Sequence, residues 1–249
     1  MGYMSIIKEN FIWIHIPKTA GWSIKETLNL GDGHLSIQDM CSLGHDDWGG
    51  GSSPESRFPK TPYDNSLPVA CFVRNPYDRI ISAYYQRYYH DEILHENKSV
   101  PVPKKPSSLW VSPSKQLFEK FILRIDNDNQ SLNFTDLNIV FKTQFSFISL
   151  NGQLAATHIY RYENLNEEYI KFKNQFFPHL HGQCDRLGHL NKNEERWEPA
   201  RSPILTPGVR GNTRVMPWQA YYDNKKVKEK VDELYRADFE AFDYPMEIR

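Results

Sequence analysis

The same local pattern occurs twice in this chain: an apolar run ends in a turn that carries a cation, and an amphipathic helix follows. The first copy is FIWIHIPKTAGWSI, residues 11–24, and the second is LPVACFVRNPYDRIISAYY, residues 67–85. An unbroken apolar run is typical of a strand buried in a parallel sheet, and parallel strands are joined through helices. The pattern therefore predicts an α/β fold with a central parallel β-sheet flanked by helices.

Both copies also indicate where their elements begin and end. In the first copy we expect a strand at about residues 10–16 and a helix at about 21–30. In the second, the strand covers residues 67–74, and Pro76 starts the helix directly after Asn75, a favourable N-cap residue. Ligands of parallel sheets bind at the carboxyl ends of the strands, which is where both turns lie.

The rest of the chain continues the alternation of strands and helices. Apolar periodicity predicts one further strand within residues 157–165 and helices over residues 35–43, 114–125, 166–177 and 224–242. Segments rich in Gly, Pro and Ser predict long loops at about 44–66, 97–113 and 196–218. With 249 residues and no internal repeat, we expect a single domain, residues 1–249.

The bulk composition excludes several classes of protein. The chain has 30 basic and 31 acidic residues and a net charge of -1, so an anion site must be a local cluster of cations. Its 3 cysteines form no CxxC pair, which indicates a reducing compartment. No window approaches the roughly 20 apolar residues of a membrane span, and no N-terminal signal pattern is present. We therefore expect a cytoplasmic protein that binds neither nucleic acid nor membrane.

The first turn, PKTAGWS, has the features of a phosphate site. The N-terminus of the following helix offers unpaired N–H groups and a partial positive charge. Lys18 adds a full charge, and Gly21 lets a ligand approach the main chain closely. Thr19 and Ser23 carry hydroxyl donors. The turn is not a Walker A loop, because its lysine precedes the glycine. The alternative is an ordinary strand-to-helix turn with a surface lysine.

The second turn offers another cation in a suitable place. Arg74 ends a buried strand, where an unpaired guanidinium is costly, and its planar fork suits a phosphate. Arg79 and Ser82 are three residues apart on the following helix and share one face. The alternative is that Arg74 forms a structural ion pair with Asp78 or another carboxylate.

Two anion sites at the ends of two parallel strands require a ligand with two well-separated phosphates, and here the chain resembles a known family. IHIPKTAGWSI is similar to the 5′-phosphosulfate-binding loop of the sulfotransferases that use PAPS (3′-phosphoadenosine 5′-phosphosulfate). VRNPYDRIISAYY resembles their 3′-phosphate-binding segment, and the pairing is most similar to the carbohydrate sulfotransferases of family 2. Weaker matches follow in GHLSIQDM, VFKTQFSFI, IYRYENL, LGHLNKN and YRADFEAFDYP. The resemblance implies a P-loop-like three-layer fold.

The resemblance also assigns roles to residues. It implies that the 5′-phosphate of PAPS is bound by Lys18, Thr19, Ala20, Gly21, Trp22 and Ser23. Arg74 and Ser82 would hold the 3′-phosphate, whereas Arg79 would either contact it or brace the loop. The chain departs from the family at Trp22, where a small hydroxyl residue is usual, so only the main-chain N–H remains there as a donor.

Sulfuryl transfer needs in-line geometry, a base on the acceptor hydroxyl and positive charge at the departing oxygen. We expect Lys18 to stabilise the departing oxygen. His34 is the favoured base, because its segment resembles the family's H-[ST] position; His45, with two aspartates beside it in GHDDW, is the alternative. No metal is expected, because a sulfuryl group carries less charge than a phosphoryl group and no motif such as HExxH is present.

The acceptor implied by the resemblance is a hydroxyl of a glycan or glycosylated metabolite. Four tryptophans in the predicted loops could stack on sugar rings or pack the loops down: Trp48, Trp110, Trp197 and Trp218. Two other functions stay open. One is a P-loop-type ATP-dependent kinase, which would need a Mg²⁺ site; the other is a nucleotide- or glycan-binding module without catalysis. The sequence does not indicate an oligomeric state.

Overall fold

The computed structural model describes residues 6–8, 10–30, 36–42, 66–87, 115–125, 139–187 and 217–248. The strands in these residues are β1 (Ile6–Lys8), β2 (Phe11–Ile14), β3 (Val69–Val73), β4 (Ser149–Leu150), β5 (Gln153–Leu154) and β6 (His158–Arg161). Four of them form one sheet in the order β1-β2-β3-β6, in which β2, β3 and β6 run parallel. The predicted parallel sheet is therefore confirmed.

The predicted helices, apart from the closing one, lie close to their expected ranges, and residues 144–148 form a helix that the sequence did not predict. The α-helices in the described residues are α1 (Gly21–Leu28), α2 (Ile37–Ser42), α3 (Pro76–Arg87), α4 (Lys115–Arg124), α5 (Gln144–Ile148), α6 (Leu165–Phe176), α7 (Lys225–Leu234) and α8 (Arg236–Ala241). Short 3-10 helices cover Ile139–Phe141, Tyr162–Asn164, Pro178–Leu180 and Trp218–Tyr222. The predicted cap of α3 is confirmed, since the Asn75 side chain accepts a hydrogen bond from the Tyr77 N–H at 3.0 Å.

Helices cover both faces of the sheet because its central strands are apolar at every position. Side chains alternate between the two faces of a strand, so β2 and β3 each contribute to two cores. One core joins Ile12, Ile14, Val69, Cys71 and Val73 to buried residues of α3, α4, α7 and α8. The other joins Phe11, Trp13, Ala70 and Phe72 to buried residues of α1 and α6. The two cores give three layers, helix–sheet–helix.

The register of the strands determines where the two turns lie. Ile12 pairs with Val69 and Ile14 with Cys71, and β3 pairs in turn with β6 as far as Val73 opposite Arg161. Because all three strands run in the same direction, the chain leaves β2 and β3 at the same edge of the sheet. The turns after these strands are therefore neighbours.

Two antiparallel pairings were not predicted from the sequence. β1 pairs with β2 as an edge strand, so the sheet is parallel in only three of its four strands. β4 and β5 form a separate hairpin around Asn151 and Gly152, which both have positive φ, 52° and 77°. Asn-Gly is the preferred pair for such a two-residue turn, so this hairpin had a local signal that the sequence analysis did not use.

The prediction of one closing helix over residues 224–242 is wrong. The chain forms α7 and α8, which are separated at Tyr235, where φ is -113° and ψ is 19°. The fully buried Tyr235 donates from its hydroxyl to the Phe141 carbonyl at 2.7 Å. A contact between residues 94 apart in sequence thus accompanies the break, which neither Gly nor Pro marks in the sequence.

The long predicted loops lie almost entirely outside the described residues. The exceptions are Ser66 at the end of the first loop and residues 217–218 at the end of the third, where Trp218 begins a 3-10 helix. No helix in the described ranges is both long enough and apolar enough to cross a membrane.

The second core depends on Phe172 of α6, whose ring contacts Phe11, Phe72 and Tyr160 with centroid distances of 5.4 to 5.9 Å. We expect Phe172→Ala to lower the free energy of unfolding by about 3–5 kcal/mol, because it leaves a cavity among aromatic rings. Ile170 on the same helix is 39% exposed, and Ile170→Ala should change stability by no more than about 0.5 kcal/mol. Denaturant unfolding of both variants checks this; equal losses would contradict the assignment of the buried face.

Candidate functional site

The two predicted anion turns contact each other at the carboxyl edge of the sheet. Arg74, directly after β3, donates from Nη1 to the main-chain carbonyl of Lys18 at 3.2 Å. Arg79, in the first turns of α3, donates from Nη1 to the Pro17 carbonyl at 3.4 Å. Segments 56 and 62 residues apart in sequence are therefore joined at the place where the sequence predicts a ligand.

The main chain of the first turn is held in an uncommon conformation. Lys18 and Ala20 have positive φ values of 70° and 67°, although neither is glycine. Such residues cost on the order of 1–3 kcal/mol each and cluster at functional sites. Between them Thr19 is buried and donates from Oγ1 to the Ile16 carbonyl at 2.9 Å, so its hydroxyl proton is used inside the turn. Ala20 is the N-cap of α1 and makes no side-chain hydrogen bond to the first turn of that helix.

Gly21 also has a close neighbour within the protein, besides the ligand that the sequence predicts there. A Cβ atom at this position would lie 1.9 Å from both Cδ2 and Nε2 of His15. The His15 ring is buried and stacks on Trp13 with a centroid distance of 5.2 Å. The glycine therefore lets the start of α1 pack against an imidazole at the end of β2.

Trp22 is the exposed member of the first turn. Its side chain is 45% exposed, and the ammonium of Lys25 lies 3.6 Å from the centre of its ring, which is cation–π geometry. One face of the indole is therefore covered by a charge from its own helix. Ser23 is half-buried, and its carbonyl accepts a hydrogen bond from the Thr27 hydroxyl at 2.8 Å.

Arg74 forms an ion pair through one nitrogen of its guanidinium, and another nitrogen has no acceptor within the described residues. Its Nε donates to Asp78 at 2.8 Å, which is the ion pair that the alternative reading of the sequence predicts, and its guanidinium lies 4.1 Å from the Tyr162 ring centre. Burial opposes the charge, but Asp78, Tyr162 and Glu163 outweigh it and raise the pKa of Arg74 above its ordinary value. Within the described residues no group accepts a hydrogen bond from Nη2, so the donors of this arm of the fork are not used by the described chain.

Arg79 differs from Arg74 in both burial and partners. It is 0% exposed, and besides Pro17 it donates to the carbonyls of Val140, at 3.1 Å, and Lys142. Burial lowers the pKa of its guanidinium. These contacts are those of a brace between the first turn and the 3-10 helix at residues 139–141. Ser82, three residues further along α3, is half-buried.

Three residues around Arg74 had no role in the sequence analysis. Gln144 bonds the Arg74 main chain twice, accepting from its N–H and donating to its carbonyl, each at 2.8 Å. Glu163 accepts from the Asn75 N–H at 2.6 Å. Tyr162 supplies the ring that lies beside the guanidinium. The only signal in the sequence for a role of these three residues is the family resemblance of their segments, VFKTQFSFI and IYRYENL.

The two candidate bases, His34 and His45, lie outside the described residues, as do Trp48, Trp110 and Trp197. The described chain resumes two residues after His34, where Ser36 and Asp39 cap each other at the start of α2: the Asp39 N–H donates to Ser36 Oγ at 3.0 Å, and the Ser36 N–H donates to Asp39 Oδ2 at 2.9 Å.

Trp218 stacks on Tyr77 with a centroid distance of 5.8 Å, so it packs against the core. In the described ranges, no group of three or more His, Cys, Asp or Glu residues is arranged to hold a metal ion.

Comparison with known proteins gives one result that covers nearly the whole chain. The model of a family described as the sulfotransferase family matches residues 3–245. The match includes both anion turns and the segments that contain Gln144 and Glu163. No curated protein and no solved structure matches the chain.

The contact between Gly21 and His15 can be tested by substitution. We expect Gly21→Ala to lower the free energy of unfolding by about 1–3 kcal/mol, because the new methyl group overlaps a buried ring. His15→Ala, which removes that ring, should relieve part of the loss, so the double variant should be more stable than the sum of the single changes by about 1 kcal/mol or more. Denaturant unfolding of the four proteins measures the difference; strictly additive losses would show that the two residues do not interact.

Proposed function

Since the chain belongs to the sulfotransferase family, we propose that it transfers the sulfuryl group of PAPS to a hydroxyl of a glycan or glycosylated metabolite. The products are PAP (3′-phosphoadenosine 5′-phosphate) and an O-sulfated acceptor. The observation that carries the proposal is the hydrogen bond from Arg74 to the Lys18 carbonyl, which joins the two anion turns at one edge of the sheet. A single nucleotide with phosphates on opposite sides of its ribose can reach both turns.

The first turn suits the 5′ end of this nucleotide. The N–H groups at the start of α1, which receive no side-chain cap from Ala20, offer donors and the positive end of a helix dipole. Residues 18–23 would bind the 5′-phosphate mainly through their main chain, since the Thr19 hydroxyl is used within the turn and Trp22 has no hydroxyl. When bound, PAPS supplies an activated sulfuryl group next to Lys18.

The second turn suits the 3′-phosphate. The open Nη2 of Arg74 and the hydroxyl of Ser82 would bind it, while Asp78 and the Lys18 carbonyl fix the rest of the guanidinium. Arg79 would brace the turn, because its donors reach main-chain carbonyls and its side chain is fully buried. A 3′-phosphate distinguishes PAP and PAPS from other adenine nucleotides, so this turn would set the choice of donor.

The reaction needs one group that stabilises the departing oxygen and one base that accepts a proton. Lys18 would stabilise the negative charge that develops on the departing oxygen. His34 would accept the proton of the acceptor hydroxyl, with His45 as the alternative base. Neither role requires a metal ion.

Binding measurements separate this proposal from the kinase alternative. We expect PAP to bind without Mg²⁺ and more tightly than ATP with Mg²⁺, measured by isothermal titration calorimetry. Transfer of labelled sulfate from PAPS to a panel of glycans and glycosylated metabolites then tests the activity. Tight binding of ATP with Mg²⁺ and none of PAP would favour a kinase, and PAP binding without transfer to any acceptor would favour a module that lacks catalysis.

Lys18→Ala should affect turnover much more than binding. Loss of a charge that acts on the departing oxygen should lower kcat by about 100-fold or more, while the Kd for PAP changes only a few-fold. Lys225, whose side chain is 86% exposed on α7, provides a matched control, and Lys225→Ala should change neither quantity. A loss of PAP affinity as large as the loss of kcat would contradict the role assigned to Lys18.

A further inference from the structure

Gln144 holds the main chain of Arg74 as a neighbouring strand would. Its side-chain amide accepts from the Arg74 N–H and donates to the Arg74 carbonyl, each at 2.8 Å. Arg74 directly follows the last residue of β3, so the two bonds extend the pairing of this strand by one residue. Gln144 is 0% exposed, and the amide is therefore shielded from competing water.

Gln144 is itself held by a buried carboxylate. Asp238, in α8, accepts from the main-chain N–H groups of Gln144 and Phe145 at 2.9 and 2.8 Å. Its Oδ2 also lies 3.4 Å from the side-chain Nε2 of Gln144. These main-chain N–H groups lie in the first turn of α5, where they have no acceptor within the helix, and Asp238 supplies one. Asp238 is itself 0% exposed. A chain of hydrogen bonds consequently runs from α8 through Gln144 to Arg74.

The direction of the Arg74 side chain depends on this main chain. A guanidinium binds phosphate through donors with fixed directions, so a small rotation of the residue misaligns them. Asp78 and the Lys18 carbonyl fix the outer part of the side chain, but they cannot prevent movement at its Cα. Gln144 bonds the two main-chain groups on either side of that atom.

We propose that Gln144, held by Asp238, is the positioning residue that makes the site select nucleotides carrying a 3′-phosphate. The inference rests on the proposed function, since it assumes that Arg74 binds that phosphate. Gln144 acts through Arg74 and contacts no part of the nucleotide. Its effect is therefore specific to one end of the ligand.

The test compares two nucleotides that differ only in the 3′-phosphate, PAP and 5′-AMP. Gln144→Met keeps the length of the side chain and removes both hydrogen bonds to Arg74. We expect its affinity for PAP, measured by calorimetry, to fall about 10- to 100-fold, the range known for residues that support metal ligands, with little change in its affinity for AMP. A general loss of structure would weaken the binding of both nucleotides, whereas a loss of positioning would lower the ratio of the PAP affinity to the AMP affinity.

Thr157, directly before β6, provides a matched control at the other end of β3. Its hydroxyl accepts from the Val69 N–H at 2.9 Å and donates to the Val69 carbonyl at 3.2 Å. Thr157 thus holds the main chain of the first residue of β3 in the same way as Gln144 holds Arg74, the residue that follows β3. Thr157→Val removes both bonds at the far end of β3. It should leave the ratio of PAP to AMP affinity unchanged.

The possible outcomes separate the two proposals. If the wild-type protein does not prefer PAP to AMP, the proposed function fails. If the wild type prefers PAP and Gln144→Met keeps the same preference, the positioning role is overturned while the function stands. Should Gln144→Met not fold, Gln144→Asn keeps the amide but is one methylene shorter, and an unchanged ratio in that variant would overturn the role equally.

Discussion

The parallel pairing of β2 with β3 is the constraint on which the candidate site depends. Both strands are buried on both faces, and they run in the same direction. The polar turns that follow them therefore lie at the same edge of the sheet. This brings two cationic segments together, and like charges near each other in a partly buried place are unfavourable. The chain offsets the cost locally, with Asp78 beside Arg74 and main-chain carbonyls around Arg79. An anion bound between the turns would add further compensation.

The two arginines of the second turn differ in their burial and in their partners, and this difference separates a brace from the residue proposed to bind a ligand. Arg79 is fully buried, burial lowers its pKa, and the positive charge of Arg74 adds to that effect. Three carbonyls accept hydrogen bonds from the Nη atoms of Arg79 and tie the first turn to residues 139–142, which offsets part of the cost of burying the guanidinium. Its buried Nε has no hydrogen-bond partner within the described chain. Arg74 keeps its side chain 11% exposed and its pKa raised, with one arm of its fork open within the described chain. They are five residues apart and have the same chemistry, so their surroundings create the difference.

Local patterns in the sequence predict the parts of the fold that depend on interactions between residues close together in the chain. The apolar runs predicted β2 and β3, and Asn75 with Pro76 predicted the start of α3. The break at Tyr235 could not be found in this way, because the residue carries no helix-breaking chemistry and its partner, Phe141, is 94 residues distant. The reason for Gly21 was missed similarly, since the His15 ring is recognisable as its neighbour only once β2 and α1 are packed together. His34 and His45 lie outside the described residues, so the choice between them still rests on the sequence.

The same distinction applies within the site. The residues proposed to touch the nucleotide lie in two short segments, 18–23 and 74–82, and each segment has a readable pattern. The groups that fix Arg74 and Asn75 come from residues 144 and 163, which are 70 and 88 positions away. Gln144 depends in turn on Asp238, 94 residues further along the chain. A substitution in α8 can therefore affect Arg74, which it never contacts, because the main chain of this arginine is held by distant parts of the chain.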